Sequence, residues 1–357
     1  MSRHVPEITI AGRAIGAGHP VYIIAEVSAN HGQDFDRAVR ILEAAKACGA
    51  DAVKLQTYTP DTLTIDCDAE PFRIKGTLWE GRTLYDLYGE AFTPWDWQPR
   101  LMRAAEDLGL TLFSSPFDAT AVDFLEDMGV PAYKVASFEL VDTALLQKIG
   151  RTGKPVLLST GMASLEEIDE AVRTLRIAGT DQLALLKCTS AYPAAPADMH
   201  LRTIADMAQR FGCPTGLSDH TLGIAVPVAA VALGACIVEK HLTLSRADGG
   251  PDGAFSLEPS EFAAMVEAVR QASQAMGRVN YTLTENERQS RIFRRSLFVV
   301  QDIAEGAPFT AENVRSIRPG HGLHPRHLPE ILGRTAASRI ARGTPLSWEL
   351  IRRGQGA

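Results

Sequence analysis

Cysteine is sparse in this chain, with five in 357 residues: Cys48, Cys67, Cys188, Cys213 and Cys236. They are odd in number, widely spaced and form no CxxC pair, so neither a disulfide framework nor a zinc ribbon is expected, and the reducing cytoplasm fits best. No run of five or more basic residues occurs and the net charge is -7. Nucleic acid is therefore not an expected partner, although a local basic patch for a small anion is compatible with that balance. No apolar run approaches the roughly 18 residues of a membrane span, and no N-terminal basic segment leads into an apolar stretch, so neither insertion nor export is expected. The apolar segment Val226 to Leu233 is short and reads as one buried helix. Also missing is a GxGxxG turn after the first apolar run, the mark of a dinucleotide-binding sheet.

What is present is ordinary globular material, 45% hydrophobic and 22% charged, long enough for one barrel-sized domain and a small one. From Val21 onward, short apolar runs alternate with helical patterns. Eight runs precede residue 245: 21–26, 52–56, 110–115, 132–137, 155–160, 183–189, 214–218 and 235–239. Between them the apolar spacing predicts helices over 35–47, 97–108, 119–128, 143–149, 165–177, 199–211 and 224–233, several closed by glycine. Eight strand and helix alternations are the order of a (β/α)8 TIM barrel, an α/β fold whose chemistry collects at the C-terminal ends of the strands. A doubly wound sheet also alternates. Eight units, and no glycine-rich turn, favour the barrel.

The stretch Thr57 to Trp95 interrupts this rhythm and holds Trp79, Tyr85, Tyr88 and Trp95. It either packs on the outside of the barrel or folds over the strand ends and shapes a pocket. After the eighth run a helix is predicted over 259–276 with Ser260 as its N-cap. The barrel is expected over 1–283, a linker of helical tendency over 284–294, and a small domain over 295–357. That last segment has short strands, tight turns and two Ile-Ala-(Glu or Arg)-Gly elements, at Ile303 and Ile340. So small a core is marginal by itself and is expected to rest on a barrel, its own or a partner's.

Polar groups gather where the strands should end. His220 closes Gly216-Leu-Ser-Asp-His, and His241 closes Val238-Glu-Lys-His. Two imidazoles from neighbouring strand ends can share one divalent metal, whereas a lone histidine is more often structural. Lys54 and Lys134 stand among Ser115, Ser137, Ser159 and Ser218, a set suited to a phosphate or carboxylate. The plainer alternative is that a lysine pairs with Glu26 or Glu239. A barrel lysine can also form a Schiff base with a carbonyl substrate; the paired histidines instead favour metal activation of the carbonyl, which leaves Glu26 as acid or base. Asp252, in the flexible Asp248-Gly-Gly-Pro-Asp252-Gly loop beyond His241, is a candidate for ordering a metal-bound water or a substrate hydroxyl.

With these residues assembled, the chain resembles the sialic acid synthase family, which condenses phosphoenolpyruvate with an amino-sugar aldehyde. The motifs are Ile24-Ala-Glu-Val-Ser-Ala-Asn-His31, Ala52-Val-Lys-Leu-Gln56, Phe113-Ser-Ser-Pro-Phe-Asp118, Tyr133-Lys-Val-Ala-Ser137, Leu158-Ser-Thr-Gly-Met162, Gly216-Leu-Ser-Asp-His220, Glu239-Lys-His241 and Gly250-Pro-Asp252. The C-terminal segment, with Arg318-Pro-Gly, resembles that family's antifreeze-like (SAF) domain. The insertion, Ser190 where the sialic branch has asparagine, and Gly253 where it has histidine resemble the pseudaminic acid branch instead. The resemblance implies that His220 and His241 hold Mn2+, with Mg2+ or Co2+ as alternatives. It implies that Lys54, Lys134, Ser137, Ser159 and Ser218 bind phosphoenolpyruvate, and that Gln56, Tyr192 and Asp252 face the sugar or a metal-bound water. Ser115 and Ser190 are taken as further substrate-binding groups. It further implies a homodimer with swapped small domains, in which Arg318 enters the partner's active site.

Overall fold

The computed structural model of the chain describes residues 7–352. These fall into two compact units that divide between Gly277 and Arg278.

The first unit opens with a hairpin, β1 (Ile8–Ile10) and β2 (Arg13–Ile15), which the sequence reading did not anticipate. Eight parallel strands follow: β3 (Tyr22–Glu26), β4 (Ala52–Thr57), β5 (Thr111–Pro116), β6 (Tyr133–Val135), β7 (Val156–Ser159), β8 (Leu183–Cys188), β9 (Thr215–Asp219) and β10 (Ile237–His241). Strand β10 pairs with both β9 and β3, so the sheet closes into the expected barrel.

Side chains alternate between the two faces of each strand, and this places the core. Ile23, Ala25, Val53, Leu55 and Val238 face outward and pack under the helices. Tyr22, Ile24, Ala52, Phe113, Leu157 and Ile237 face inward and meet Ile8, Ile10 and Ile15 of the hairpin, which plugs the N-terminal end. Gly216 lies on that inward face because a Cβ there would sit 2.5 Å from the Ile237 carbonyl oxygen and 2.8 Å from Leu186. Continuing each inward series by two residues arrives at Glu26, Lys54, Ser115, Lys134, Ser159, Ser218 and Glu239. The lower half of the barrel is apolar and the upper half polar by the same two-residue period.

The helices are α1 (Phe35–Ala47), α2 (Pro60–Leu63), α3 (Leu84–Ala91), α4 (Gln98–Asp107), α5 (Ala119–Met128), α6 (Thr143–Gly150), α7 (Leu165–Ala178), α8 (Thr203–Phe211), α9 (Ala225–Ala232) and α10 (Pro259–Met276). Side-chain caps start several of them, such as Asp34 accepting from the Arg37 amide and Ser164 from that of Glu167. Two expectations need correcting. Helix α8 begins at Thr203 rather than 199, because His200 has φ 44°, which no helix continues. The cap of α10 is Glu258, whose amide donates to the Glu261 carboxylate, with Pro259 in the first turn, so Ser260 is already inside the helix.

In the second unit the 284–294 segment forms α11 (Glu285–Ser290), capped by Thr284, and a 3-10 turn Arg291–Phe293. Strands β11 (Ser296–Val299) and β12 (Val314–Ile317) pair antiparallel, and α12 spans Leu328–Ile331. The two Ile-Ala-x-Gly elements pair with each other: the Ile303 and Ile340 amides donate to each other's carbonyls at 2.9 and 2.8 Å. Their isoleucines enter a core with Leu297, Val299, Phe309, Val314 and Leu346.

Candidate active site

At the C-terminal end of the barrel the inward residues open into a cavity of about 400 Å³. The insertion roofs it: Leu63, Ile74, Trp79, Leu84 and Leu87 line one side, while Lys54, Lys134, Ser159, Ser218 and Glu239 line the floor. Of the two readings of the 57–95 stretch, the one that folds it over the strand ends holds. Trp79 Nε1 donates to the Pro251 carbonyl at 2.9 Å and pins the insertion to the loop after β10, while Trp95 Nε1 donates to the Tyr58 carbonyl at 3.1 Å and ties its two ends together just past β4.

The floor is a buried cluster of four charges. Lys54 Nζ lies 2.9 Å from Glu26 Oε2 and 3.1 Å from Glu239 Oε1, and Lys134 Nζ lies 3.7 Å from the same Glu239 oxygen. The plainer reading of Lys54, an ion pair with Glu26 or Glu239, is therefore present together with the cavity-facing one. Ser218 Oγ adds a hydrogen bond of 3.0 Å to Glu239. Burial pushes the Glu26 carboxyl up to about 7, with Lys54 pulling against it and Glu239 adding to the rise. Glu239 is buried as deeply, yet the two lysines outweigh that and hold it down at about 2. Lys134 is lowered by burial, which its neighbouring carboxylates only partly offset. With Glu239 ionised and Glu26 poised near neutrality, the two lysines leave an excess of positive charge. Ser159 Oγ, also in the cavity floor, is buried without a hydrogen-bond partner among the described residues. A buried ion pair seldom stabilises a fold beyond what apolar packing would, and an unpartnered hydroxyl costs stability. The arrangement suits an anionic ligand that completes it.

His220 follows β9 and His241 ends β10, their ring centroids 5.3 Å apart. The Thr189 carbonyl can only accept, so His220 Nδ1, 3.1 Å away, carries a proton, and in the neutral ring Nε2 is the atom left with a lone pair. His241 Nδ1 is buried without a partner. Burial and then the positive neighbours push His241 well below its ordinary value, which keeps it neutral, the form that binds metal. His220 moves up: burial opposes its charging, and the Cys188 thiol and Thr189 carbonyl outweigh burial. Among the described residues no group of three or more His, Cys, Asp or Glu side chains is arranged to hold a metal. The two imidazoles fit a divalent ion that takes its remaining ligands as oxygen from substrate or water.

The other expected residues divide. Tyr192 lies between His220 and Trp79, at 4.4 and 5.8 Å between centroids, with the rings tilted by 46° and 51°. Gln56 Nε2 donates to Glu26 Oε1 at 3.0 Å and to Ser28 Oγ at 2.9 Å, and Ser28 Oγ donates to Asp252. Ser137 and Ser190 share a hydrogen bond of 2.9 Å beside Gly161, where φ is 45° and a Cβ would strike both. Ser115 is inward and buried with no partner for its hydroxyl among the described residues, in register with Gln56 but outside the cavity lining. Arg318 stands one residue past β12 in the second unit.

The sequence reading did not single out Ser28, Cys188 or Glu139, all cavity-lining, and placed Glu239 only as a lysine's partner. Glu239 was within reach, since it precedes His241 by two residues on the same inward face. Burial pushes Glu139 up to about 7 as well.

A NeuB family profile matches residues 41–281, and a SAF domain profile matches residues 294–352. The chain belongs to the NeuB family. Among NeuB relatives it is 45% identical over 326 residues to a pseudaminic acid synthase of Campylobacter jejuni, covering 91% of this chain and 95% of that one. It is 44% identical over 338 residues to the pseudaminic acid synthase of Helicobacter pylori, covering 94% and 98%. The crystal structure of N-acetylneuraminic acid (sialic acid) synthetase from Leptospira borgpetersenii superposes with a TM-score of 0.72 at 31% identity, over 81% of this chain and 96% of that one. The motif resemblance therefore holds, with the pseudaminic acid synthases as near relatives.

Proposed function

We propose that the protein is a transferase that condenses phosphoenolpyruvate with 2,4-diacetamido-2,4,6-trideoxy-L-altrose, giving pseudaminic acid and phosphate. The observation that carries this is the lysine-rich, incompletely satisfied floor beside a histidine pair, in a cavity whose roof is apolar. The identity to pseudaminic acid synthases over more than nine tenths of the chain supports the choice of sugar. So do Leu63, Ile74, Leu84 and Leu87, against which a 6-methyl group packs better than a 6-hydroxyl.

Lys54, Lys134, Ser159 and Ser218 hold the carboxylate and phosphate of phosphoenolpyruvate. His220 and His241 are the residues that would hold a divalent ion, Mn2+ in this reading, and such an ion supplies Lewis acidity toward the aldehyde oxygen. C3 of phosphoenolpyruvate attacks the aldehyde carbon, water adds to the cationic C2, and the C2–O bond to phosphate breaks to leave the 2-keto acid; of the water's two protons, one ends on the former aldehyde oxygen, now a hydroxyl, and the other leaves with the phosphate. Glu26, with its carboxyl near 7, takes the proton from that water and is screened from bulk solvent while it does so. Phosphate release with phosphoenolpyruvate and a panel of amino-sugar aldehydes tests the reading: release is expected with the 6-deoxy altrose sugar, and no release with any of them defeats it.

A second reading rests on Lys134, since a buried lysine with lowered proton affinity is what a Schiff-base enzyme needs. Borohydride with pyruvate is expected to trap nothing, and a trapped adduct on Lys134 reverses the assignment. Within the main reading the active form is a homodimer in which the SAF domain of each chain brings Arg318 to the sugar in the other, an inference that rests on the family resemblance. Removing residues 295–357 is expected to abolish turnover. No helix among the described residues is long and apolar enough to cross a membrane, and five free cysteines suit the cytoplasm as its location.

A further inference from the structure

Four non-glycine residues have positive φ among those described: Ala11, Ser28, Gln33 and His200. Three are exposed turn residues, where strain is cheaply relieved. Ser28 is buried and lines the cavity with φ 44°. A buried serine held in the left-handed region costs stability that glycine would avoid, so its side chain requires a reason.

That reason is in its hydrogen bonds. Asp252 is acceptor-only when ionised, so the Ser28 hydroxyl donates to Asp252 Oδ2 and its oxygen accepts from Gln56 Nε2 at 2.9 Å. The second Gln56 N–H goes to Glu26 Oε1 at 3.0 Å. Both amide protons are then spoken for, and the Gln56 carbonyl oxygen makes no hydrogen bond among the described residues. Asp252 is held from behind as well: its backbone carbonyl accepts from Ser256 Oγ at 2.7 Å, and Asn30 Nδ2 donates to that same Ser256 at 2.8 Å. Its Oδ1 also makes no hydrogen bond among the described residues. Ser28 thus joins the loop after β3 to the loop after β10 and leaves two acceptor atoms, Gln56 Oε1 and Asp252 Oδ1, on residues that line the cavity.

We propose that Ser28 is a positioning residue for the sugar: its strained backbone puts one hydroxyl where it orients Gln56 and Asp252 together as a two-acceptor subsite for paired O–H or N–H donors of the amino sugar. The inference rests on the condensation reading above, though not on which sugar of the panel is turned over. Ser28→Gly separates the two elements of the argument, because it relieves the backbone and deletes the hydroxyl. In the full-length protein its melting temperature is expected to equal or exceed the wild-type value. Its KM for the sugar is expected to rise about tenfold, the size of one lost hydrogen bond, with the KM for phosphoenolpyruvate within about twofold of wild type. Ser28→Ala, which keeps a Cβ in the strained position, is expected to show the same sugar defect without the thermal gain. An active wild type with unchanged sugar KM in both variants overturns the role of Ser28 alone, as does an equal rise for both substrates. A wild type inert with every sugar overturns this inference and the functional reading together.

Discussion

Two buried lysine–carboxylate clusters are built on neighbouring residues of β10, Glu239 and Lys240, and behave in opposite ways. Lys240 faces outward, its ammonium bonded to Asp219 and to the Thr221 carbonyl at 2.6 Å, while Asp219 also accepts the Thr221 amide at 3.0 Å. Both side chains of that pair are fully buried, and every charge has a dedicated partner. Glu239 faces inward with two lysines, a serine and the poised carboxyl of Glu26, at the edge of a cavity. The same residue types, neighbours in sequence, become a closed structural lock on one face and an open anion site on the other. Strand alternation alone decides which.

The largest expected effect lies on the inward face. His241→Ala should lower kcat/KM by about a thousandfold or more, since the imidazole pair is broken, while circular dichroism and melting change little. Retained activity would remove the histidines from the chemistry. On the outward face, Lys240→Met should strand the Asp219 charge and cost about 3 kcal/mol in denaturant unfolding, with the KM of either substrate unaltered. Lys134→Met should do the reverse: about a hundredfold lower kcat/KM for phosphoenolpyruvate, with stability unchanged or raised because a poorly paired buried charge is gone.

The smallest effect is one of pH. The Glu26 carboxyl is raised to about 7 from an ordinary value near 4.5. The folded state therefore binds more protons than the unfolded one between those values, and its contribution to stability declines as pH rises through that window. Because the ionised form does the proposed work, activity should climb with pH to a limb near 7. Glu26→Gln should flatten the stability slope and, in the reduced turnover left without the base, remove that limb; a profile with the limb intact assigns it elsewhere, Glu139 being the other cavity carboxyl pushed up to about 7.

The barrel was readable because apolar runs and helical spacing are local and because they repeat eight times. Strand ends were readable for the same reason: Glu26 and His241 each close a strand, while Lys54 and Lys134 are the one charged residue inside an apolar run. What escaped depends on geometry between distant segments. The contrast between Glu239 and Lys240 needs the inward face of β10 to be known, and that follows only once the apolar layer containing Ile237 is placed. The left-handed backbone at Ser28 has no local signal, since a serine between valine and alanine suggests nothing unusual. Trp79 stands out in the sequence as one of four aromatics in the 57–95 stretch, but its bond to the Pro251 carbonyl, 172 residues away, fixes the roof and is written in neither segment alone.

The contrast between the faces of β10 is tested most directly by calorimetric titration of phosphoenolpyruvate into the wild type, Lys134→Met and Lys240→Met under conditions where all three are folded. Lys134→Met is expected to lose at least about tenfold in affinity, the loss of one charge-assisted contact, while Lys240→Met is expected to bind as the wild type does. Equal losses in the two variants, or none in Lys134→Met, would contradict it.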